Sequence, residues 1–127
     1  MKKVSKITVQ VDITQGFDKE EKLLSKNERK ALKEKLNALV TEISHNGWSR
    51  KIYRTPNLQF PKTIKKEESS LYLFKVNSKQ GVVLAVDNDP LFNQKLITLY
   101  RVTKKQDIQN AFSSTASVIY ETETVKR

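Results

Sequence analysis

The sequence predicts an α+β fold in which a small antiparallel sheet packs against a helical pair and a C-terminal helix. Three observations support this class: an alternating apolar run near the N-terminus, a long apolar stripe of helical period, and three short β-rich runs separated by turns. The 127 residues fit one compact domain, and only three glycines and three prolines occur. We therefore expect a single domain over residues 1–127, with residues 120–127 as a frayed tail.

The N-terminal part of the chain contains the first strand and the first helix. Apolar and polar residues alternate there, as in a strand with one buried face, and the apolar ones are Ile7, Val9, Val11 and Ile13. Gly16 ends this run. Asp18 and Glu21 then have the spacing of a capping box, in which a side-chain oxygen and a carboxylate three residues later bind free backbone amides. A first helix is predicted to begin there.

A second, longer helix is predicted to follow. Ser25 and Glu28 repeat the capping-box spacing, and Asn46-Gly47 is a typical left-handed helix end. Between them the apolar residues fall on one helical stripe, namely Leu32, Leu36, Leu39, Val40 and Ile43. This stripe indicates a helix that packs on the sheet.

The C-terminal half contains a meander of three strands and a last helix. The runs LYLFKV, GVVLAV and KLITLYRV are separated by the turn sequences NSKQ and DNDP, which predicts three neighbouring antiparallel strands. After Val102 the period becomes helical, with one apolar face formed by Ile108, Ala111, Phe112, Thr115, Ala116 and Ile119. We expect this helix to cover the sheet.

Charge is the strongest indication of function. The 24 Lys and Arg against 14 Asp and Glu give a net charge of +10, which favours a polyanionic partner. No acidic residue lies between Glu42 and Glu67, and the aromatic residues Trp48, Tyr53 and Phe60 are interleaved with cations there. Cations that neutralise phosphates and rings that stack on bases predict binding of single-stranded RNA. A solvated basic loop whose rings anchor it to the core is the alternative.

The run LITLYRVTKK places a second group of cations at the end of the last strand. In a regular strand Arg101 lies on the face opposite Tyr100, where it can join Lys75 of a neighbouring strand in a basic groove. The nucleic-acid-binding candidates are therefore Arg50, Lys51, Tyr53, Arg54, Lys62, Lys65, Lys66 and Lys75. Equally, Arg101 can pair with an acidic residue such as Glu67 or Asp107, because half-buried arginines are normally paired.

Several functions are disfavoured by the sequence. Without cysteine there is no disulfide and no thiolate metal site, and no apolar run approaches the roughly 20 residues that span a bilayer. Apolar and polar residues alternate at the N-terminus as in a strand, whereas a signal peptide has a continuous apolar core, so we expect a cytoplasmic protein. We also expect no cofactor. Asp87, Asn88 and Asp89 before a proline are typical of a turn rather than a metal site. His45, the single histidine, is assigned to capping the second helix.

The order of strand, two helices, three-strand meander ending in LITLYRV with basic residues after it, and a short last helix resembles the RelE/ParE superfamily of bacterial toxins. This resemblance implies a small, basic, cytoplasmic toxin of a type II toxin-antitoxin pair that is held inactive by a cognate antitoxin with an acidic segment. RelE-like members cleave mRNA on the ribosome, whereas ParE-like members inhibit DNA gyrase.

The resemblance also implies functional positions. The arginine that begins the middle strand in RelE-like nucleases falls near Gly81, so that cation is missing. The basic residue after the last strand corresponds to Lys104 or Lys105, and the tyrosine of the last helix falls near Phe112. RNA cleavage by attack of the 2′-hydroxyl needs groups that transfer protons and cations that stabilise the charge on the phosphate. Lysines with lowered pKa values can act as the acid or base.

Two function classes remain open. The first is a metal-independent endoribonuclease acting on mRNA on or near the ribosome, with Arg101, Lys104 and Lys105 as catalytic candidates. The second is a non-catalytic basic protein on the same fold, either a ParE-like inhibitor of DNA gyrase or a module that binds RNA or an acidic protein.

Overall fold

A computed structural model describes residues 7–54, 69–89 and 91–121 of the chain. The elements are β1 (Thr8–Ile13), α1 (Gln15–Lys22), α2 (Lys26–Asn46), β2 (Ile52–Tyr53), β3 (Leu71–Lys75), β4 (Gln80–Asp89), β5 (Gln94–Lys104) and α3 (Ile108–Ala116). A 3₁₀ turn, Lys105–Asp107, precedes α3, and a π-helical turn, Ser117–Glu121, follows it. The predicted α+β class is confirmed. None of the helices in the described ranges is long and apolar enough to cross a membrane.

One five-stranded sheet has the order β1-β5-β4-β3-β2. The antiparallel meander β3-β4-β5 agrees with the prediction, but β1 runs parallel to β5, so the sheet is mixed. Two parallel strands need a long crossover connection, and here the connection consists of the whole chain from α1 to β4. The segment after α2 was predicted as a loop and contributes the short strand β2, which pairs antiparallel with β3.

Each face of the sheet covers its own hydrophobic core. Helices α1 and α2 pack on one face, over Phe17, Leu32, Leu39, Ile43 and the strand residues Ile52, Phe74, Val76, Val82, Leu84, Val86, Ile97, Leu99 and Val102. Helix α3 packs on the other face, where its residues Ala111, Phe112 and Ala116 form a second core with the strand residues Leu71, Leu73, Val83 and Ala85. Both predicted helical stripes are confirmed, since Leu36, Val40, Ile108 and Ile119 are partly buried against the same cores.

The ends of α2 form as the sequence predicts. The Ser25 side chain accepts a hydrogen bond from the Glu28 amide (3.1 Å), and the Glu28 carboxylate accepts one from the Ser25 amide (2.8 Å). Gly47 ends the helix with φ of 83°, a conformation that strongly favours glycine. Because these signals act within a few residues, they are readable without the rest of the fold.

The predictions for the first helix and the first strand need correction. Helix α1 begins at Gln15, not at Asp18, because the Thr14 hydroxyl caps it by accepting from the Phe17 amide (3.2 Å). In β1 the expected buried face is incomplete, with Val11 39% and Ile13 56% exposed. The strand lies at the edge of the sheet, and of its apolar residues only Val9 packs against the core beneath the helices.

Candidate nucleic-acid interface

A series of surface hollows follows the end of the sheet where β5 ends and the β3–β4 turn lies. The first, a cleft of about 680 Å³ between the α1–α2 junction, β5 and α3, contains Arg101 and Lys104 and is also lined by Glu20, Glu28 and Asp107. We call it the Arg101 cleft. It shares Lys104 and Glu28 with a second hollow, of about 560 Å³, to which Lys79 and Lys105 contribute.

From Lys105 the hollows continue along β3 to the edge strand β2. Two of them meet at Lys105 and Tyr53, and the last, of about 430 Å³, lies between α2, β2 and β3. We call the hollows after the Arg101 cleft the basic groove, with the cations Lys35, Arg50, Lys51, Lys75, Lys79, Lys104 and Lys105. Beyond Glu28, its described lining contains no acidic side chain. A surface of this kind attracts a phosphate backbone.

Backbone hydrogen bonds hold the lysines of the groove in place. The Lys105 amide donates to the Lys79 carbonyl (2.8 Å), and Lys104 pairs with Gln80 in the β4–β5 ladder. The Asn77 side chain accepts hydrogen bonds from the amides of Lys79 (2.8 Å) and Gln80 (3.0 Å), which fixes the β3–β4 turn. The end of β5 and the turn therefore form one rigid platform.

The structure brings together six of the residues selected from the sequence, which are Arg50, Lys51, Tyr53, Lys75, Lys104 and Lys105. Arg54 lies elsewhere, because its guanidinium sits 4.3 Å from the centre of the Tyr72 ring and donates to the carbonyls of Ser69 and Leu71. The candidates Lys62, Lys65 and Lys66 fall outside the described residues.

Sequence reasoning missed two cations of the groove. Lys35 lies on α2 outside its apolar stripe, and Lys79 lies in the turn NSKQ. Both line the groove because α2 and the β3–β4 turn converge on the same end of the sheet. No local pattern in the sequence indicates this convergence.

A β-bulge changes the predicted orientation of the β5 side chains. Leu99 pairs with Leu84 and Arg101 with Val83, so Tyr100 is the additional residue of the bulge. Leu99 and Val102 consequently face the same core, and Tyr100 packs against the other one. The regular strand assumed for this segment is therefore interrupted between Leu99 and Arg101.

Arg101 is held by Glu20 of α1. Its Nε lies 2.9 and 3.0 Å from the two carboxylate oxygens, and its Nη2 lies 2.8 Å from Oε2. The same carboxylate accepts a hydrogen bond from the Val102 amide (3.0 Å). The hydrogen bond to Glu20 raises the pKa of Arg101 above its usual value. Arg101 is therefore ion-paired as predicted, but with Glu20 rather than with Asp107. Glu67, the other partner considered, falls outside the described residues.

Glu20 has this position because β1 ends before β5 does. The last pair of the parallel ladder is Ile13 with Leu99, so the edge of β5 beyond Leu99 is not covered by β1. Helix α1 lies there instead, and its carboxylate supplies the acceptor that a neighbouring strand would have supplied to Val102. Arg101 thus attaches α1 to the sheet.

The groups expected to transfer protons or to bind phosphate lie elsewhere or are missing from the described site. His45 lies in the last turn of α2, where its Nδ1 is 2.9 Å from the Thr41 carbonyl oxygen. Glu28, which shares a hollow with Lys104 and Lys105, lies at the other end of that helix, about 25 Å from His45 at 1.5 Å per residue. A β-carbon on Gly81 would lie 3.1 Å from Ile108 Cδ1, so a larger residue there would require a small shift of the Ile108 side chain.

The residue at which the resemblance expects a tyrosine is part of the core. Phe112 of α3 is fully buried against the sheet. We expect Phe112→Tyr to lower the free energy of unfolding by about 1–3 kcal/mol, because the change places a new hydroxyl in an apolar core. Thermal unfolding of the purified variant measures the loss. Unchanged stability would show that the core accommodates the hydroxyl.

Trp48 and Tyr53 differ in their surroundings although each is 37% exposed. The Trp48 ring makes an edge-to-face contact with Tyr72 at 5.2 Å, and Lys95 Nζ lies 5.1 Å from its centre. Burial lowers the pKa of Lys95. Tyr53 instead lines three adjoining hollows of the basic groove. Of the two rings, only Tyr53 is placed to stack on a base in the groove.

No family model and no curated protein matches the chain. Among solved structures, the chain is similar to the RelBE2 toxin-antitoxin complex from Mycobacterium tuberculosis, with 13% sequence identity and a TM-score of 0.43. The match covers 83% of this chain and 98% of that chain. A TM-score below 0.5 does not decide function, so the site has to be interpreted from its own residues.

Proposed function

We propose that the protein is the toxin of a type II toxin-antitoxin pair and that it cleaves mRNA bound along the basic groove, on or near the ribosome. The observation that supports this proposal is the continuous row of cations beyond Glu28, with the Tyr53 ring among them. Cations at intervals along a groove follow a phosphate backbone, and an exposed ring stacks on an unpaired base. The proposed antitoxin carries an acidic segment that neutralises the same groove.

Lys104 and Lys105 are the proposed catalytic cations. Attack of a 2′-hydroxyl on the adjacent phosphate builds negative charge on the phosphoryl oxygens, and fixed cations stabilise that charge. Both lysines lie at the end of β5, on the platform held by the Lys79 carbonyl. Proton transfer is assigned to a lysine, since His45 lies at the opposite end of α2 from the hollow of Lys104 and Lys105. The proposed reaction uses no metal.

A second candidate is a non-catalytic protein that blocks its target by binding. Three observations favour it: Gly81 stands where an arginine was expected, Phe112 is buried, and Arg101 is paired with Glu20. The basic groove would then bind RNA or an acidic protein without cutting it. A ParE-like inhibitor of DNA gyrase belongs to this class.

The test is a cell-free translation reaction with a defined mRNA and the purified protein, with and without ribosomes, mapped by primer extension. Cuts that require ribosomes and follow codon positions support the nuclease. Intact RNA, together with growth arrest when the folded protein is expressed, supports the binding protein. A variant with Lys104 and Lys105 replaced by alanine is the matched negative control in both arms.

Tyr53 and Trp48 give a further prediction for RNA binding. We expect Tyr53→Ala to weaken binding of single-stranded RNA by about 1–3 kcal/mol, because stacking on the ring is lost. Trp48→Ala, matched in exposure, is expected to leave the affinity unchanged, since that ring lines none of the described hollows of the groove. Fluorescence anisotropy with a labelled oligoribonucleotide measures both. Equal losses would mean that RNA follows a different path.

A further inference from the structure

A buried amide oxygen without a hydrogen-bond partner among the described residues lies at the centre of the candidate interface. Gln80, the first residue of β4, is only 5% exposed, and its Oε1 has no partner among the described residues. Buried polar atoms are almost always hydrogen-bonded, so an orphaned one calls for an explanation. The backbone of Gln80 is well fixed, because its amide binds the Asn77 side chain and its carbonyl accepts from the Val76 amide (3.0 Å).

Gln80 lies where the hollows meet. It lines the Arg101 cleft, the hollow of Lys104 and Lys105, and a recess of about 120 Å³ beside Tyr53. A chain of nucleotides running from the cleft to the edge strand therefore passes this amide, with Lys104 beside it in the ladder. The terminal torsion of glutamine is broad, so the side-chain amide can change its orientation at low energetic cost.

We propose that Gln80 is a specificity-determining residue that reads the edge of an RNA base, adenine by preference, while the lysines hold the phosphates. This inference rests on the proposed RNA binding. A glutamine amide presents an acceptor and a donor side by side, which match the N6 amino group and N7 of adenine. Unpaired bases in single-stranded RNA expose these edges. Uracil lacks this N6–N7 edge and can meet an amide only through N3–H together with O2 or O4.

Because Oε1 of Gln80 has no hydrogen-bond partner among the described residues, this side chain is better suited to recognising a base than to stabilising the fold. A leucine has a similar volume and no polar atoms, so it fills the same space without an unpaired amide. If the role of Gln80 were structural, through a bound water, replacing it would lower the melting temperature. If it reads a base, replacement abolishes base preference and leaves the melting temperature unchanged or higher.

The experiment measures binding of the purified full chain to fluorescein-labelled A12 and U12 oligoribonucleotides by anisotropy. We expect the protein to bind A12 more tightly by roughly five- to a hundredfold, the usual range for a bidentate amide contact. Gln80→Leu is expected to bind both with the affinity of the U12 complex. Gln15→Leu, which replaces an exposed amide that lines none of the hollows described above, is the matched control and keeps the preference.

The outcomes separate this inference from the proposed function. If the unchanged protein binds neither RNA, RNA binding itself is wrong. If it binds both equally, or if Gln80→Leu keeps the preference for A12, only the role of Gln80 is overturned. Loss of preference together with a lower melting temperature in Gln80→Leu and in Gln80→Met would assign the residue to structure instead.

Discussion

Replacing Lys104 and Lys105 together with alanine will weaken binding of single-stranded RNA by roughly tenfold to a hundredfold, since each lost phosphate contact removes about 1 kcal/mol. Both side chains are exposed and make no described ion pair, so the free energy of unfolding is expected to stay the same. Cleavage, if the protein is a nuclease, will fall further than affinity, because the same cations stabilise the charge that develops on the phosphate.

The salt dependence of binding identifies the cause of the loss. Each phosphate neutralised on single-stranded RNA contributes about 0.7 to the slope of log affinity against log salt concentration. Two lost contacts should therefore reduce the slope by about 1.4. Anisotropy titrations between low and moderate salt measure the slope for the protein and for the variant.

A second double variant with the same net charge distinguishes binding in the groove from general electrostatic attraction between the protein and RNA. Lys30 and Lys33 are exposed on α2 and line none of the described hollows, so their replacement by alanine removes two charges outside the groove. We expect only a small change in affinity and slope. If both double variants weaken binding equally, RNA responds to net charge alone and the groove is not the interface.

Much of the fold follows from patterns that act over a few residues. The stripe of α2, its capping box at Ser25 and its glycine end at Gly47 are local, and the turn signals separate the three meander strands. The parallel pairing of β1 with β5 depends on residues more than 80 positions apart, and no sequence period encodes it. The strand β2 is too short for its two residues to show an alternation.

The site divides in the same way. Lys104 and Lys105 could be selected because they follow a recognisable strand directly, and the acid-free stretch after Glu42 is visible in the sequence. Lys35, Lys79 and Gln80 could not, since each looks like an ordinary surface or turn residue until α2, β4 and β5 come together. The bulge at Tyr100 also could not be predicted, because the orientation of the β5 side chains was inferred from a regular strand.

The ion pair between Arg101 and Glu20 leads to the second large effect. We expect Arg101→Ala to lower the free energy of unfolding by about 1–2 kcal/mol, because the Glu20 carboxylate loses three of its hydrogen-bond contacts and stays partly buried. The two side chains are 34% and 24% exposed, so solvent screening keeps the loss below that of a fully buried pair. Thermal or denaturant unfolding measures it.

A double-mutant cycle separates the ion pair from the other contacts of each residue. Glu20→Gln keeps an acceptor for the Val102 amide and removes the charge, and combining it with Arg101→Ala should cost less than the sum of the two single changes. A coupling of about 1 kcal/mol is expected for this partly exposed pair. Additive losses would show that Arg101 and Glu20 contribute independently.

The same variants decide whether Arg101 acts on RNA. Removing Arg101 with Lys104 and Lys105 in one triple variant would mix a loss of stability with a loss of phosphate contacts, so the single changes are more informative. Because Glu20 holds the guanidinium, Glu20→Gln releases it into the Arg101 cleft and should raise RNA affinity if the arginine binds phosphate. Unchanged affinity in Glu20→Gln, with lower stability in Arg101→Ala, would leave Arg101 as the residue that attaches α1 to the sheet.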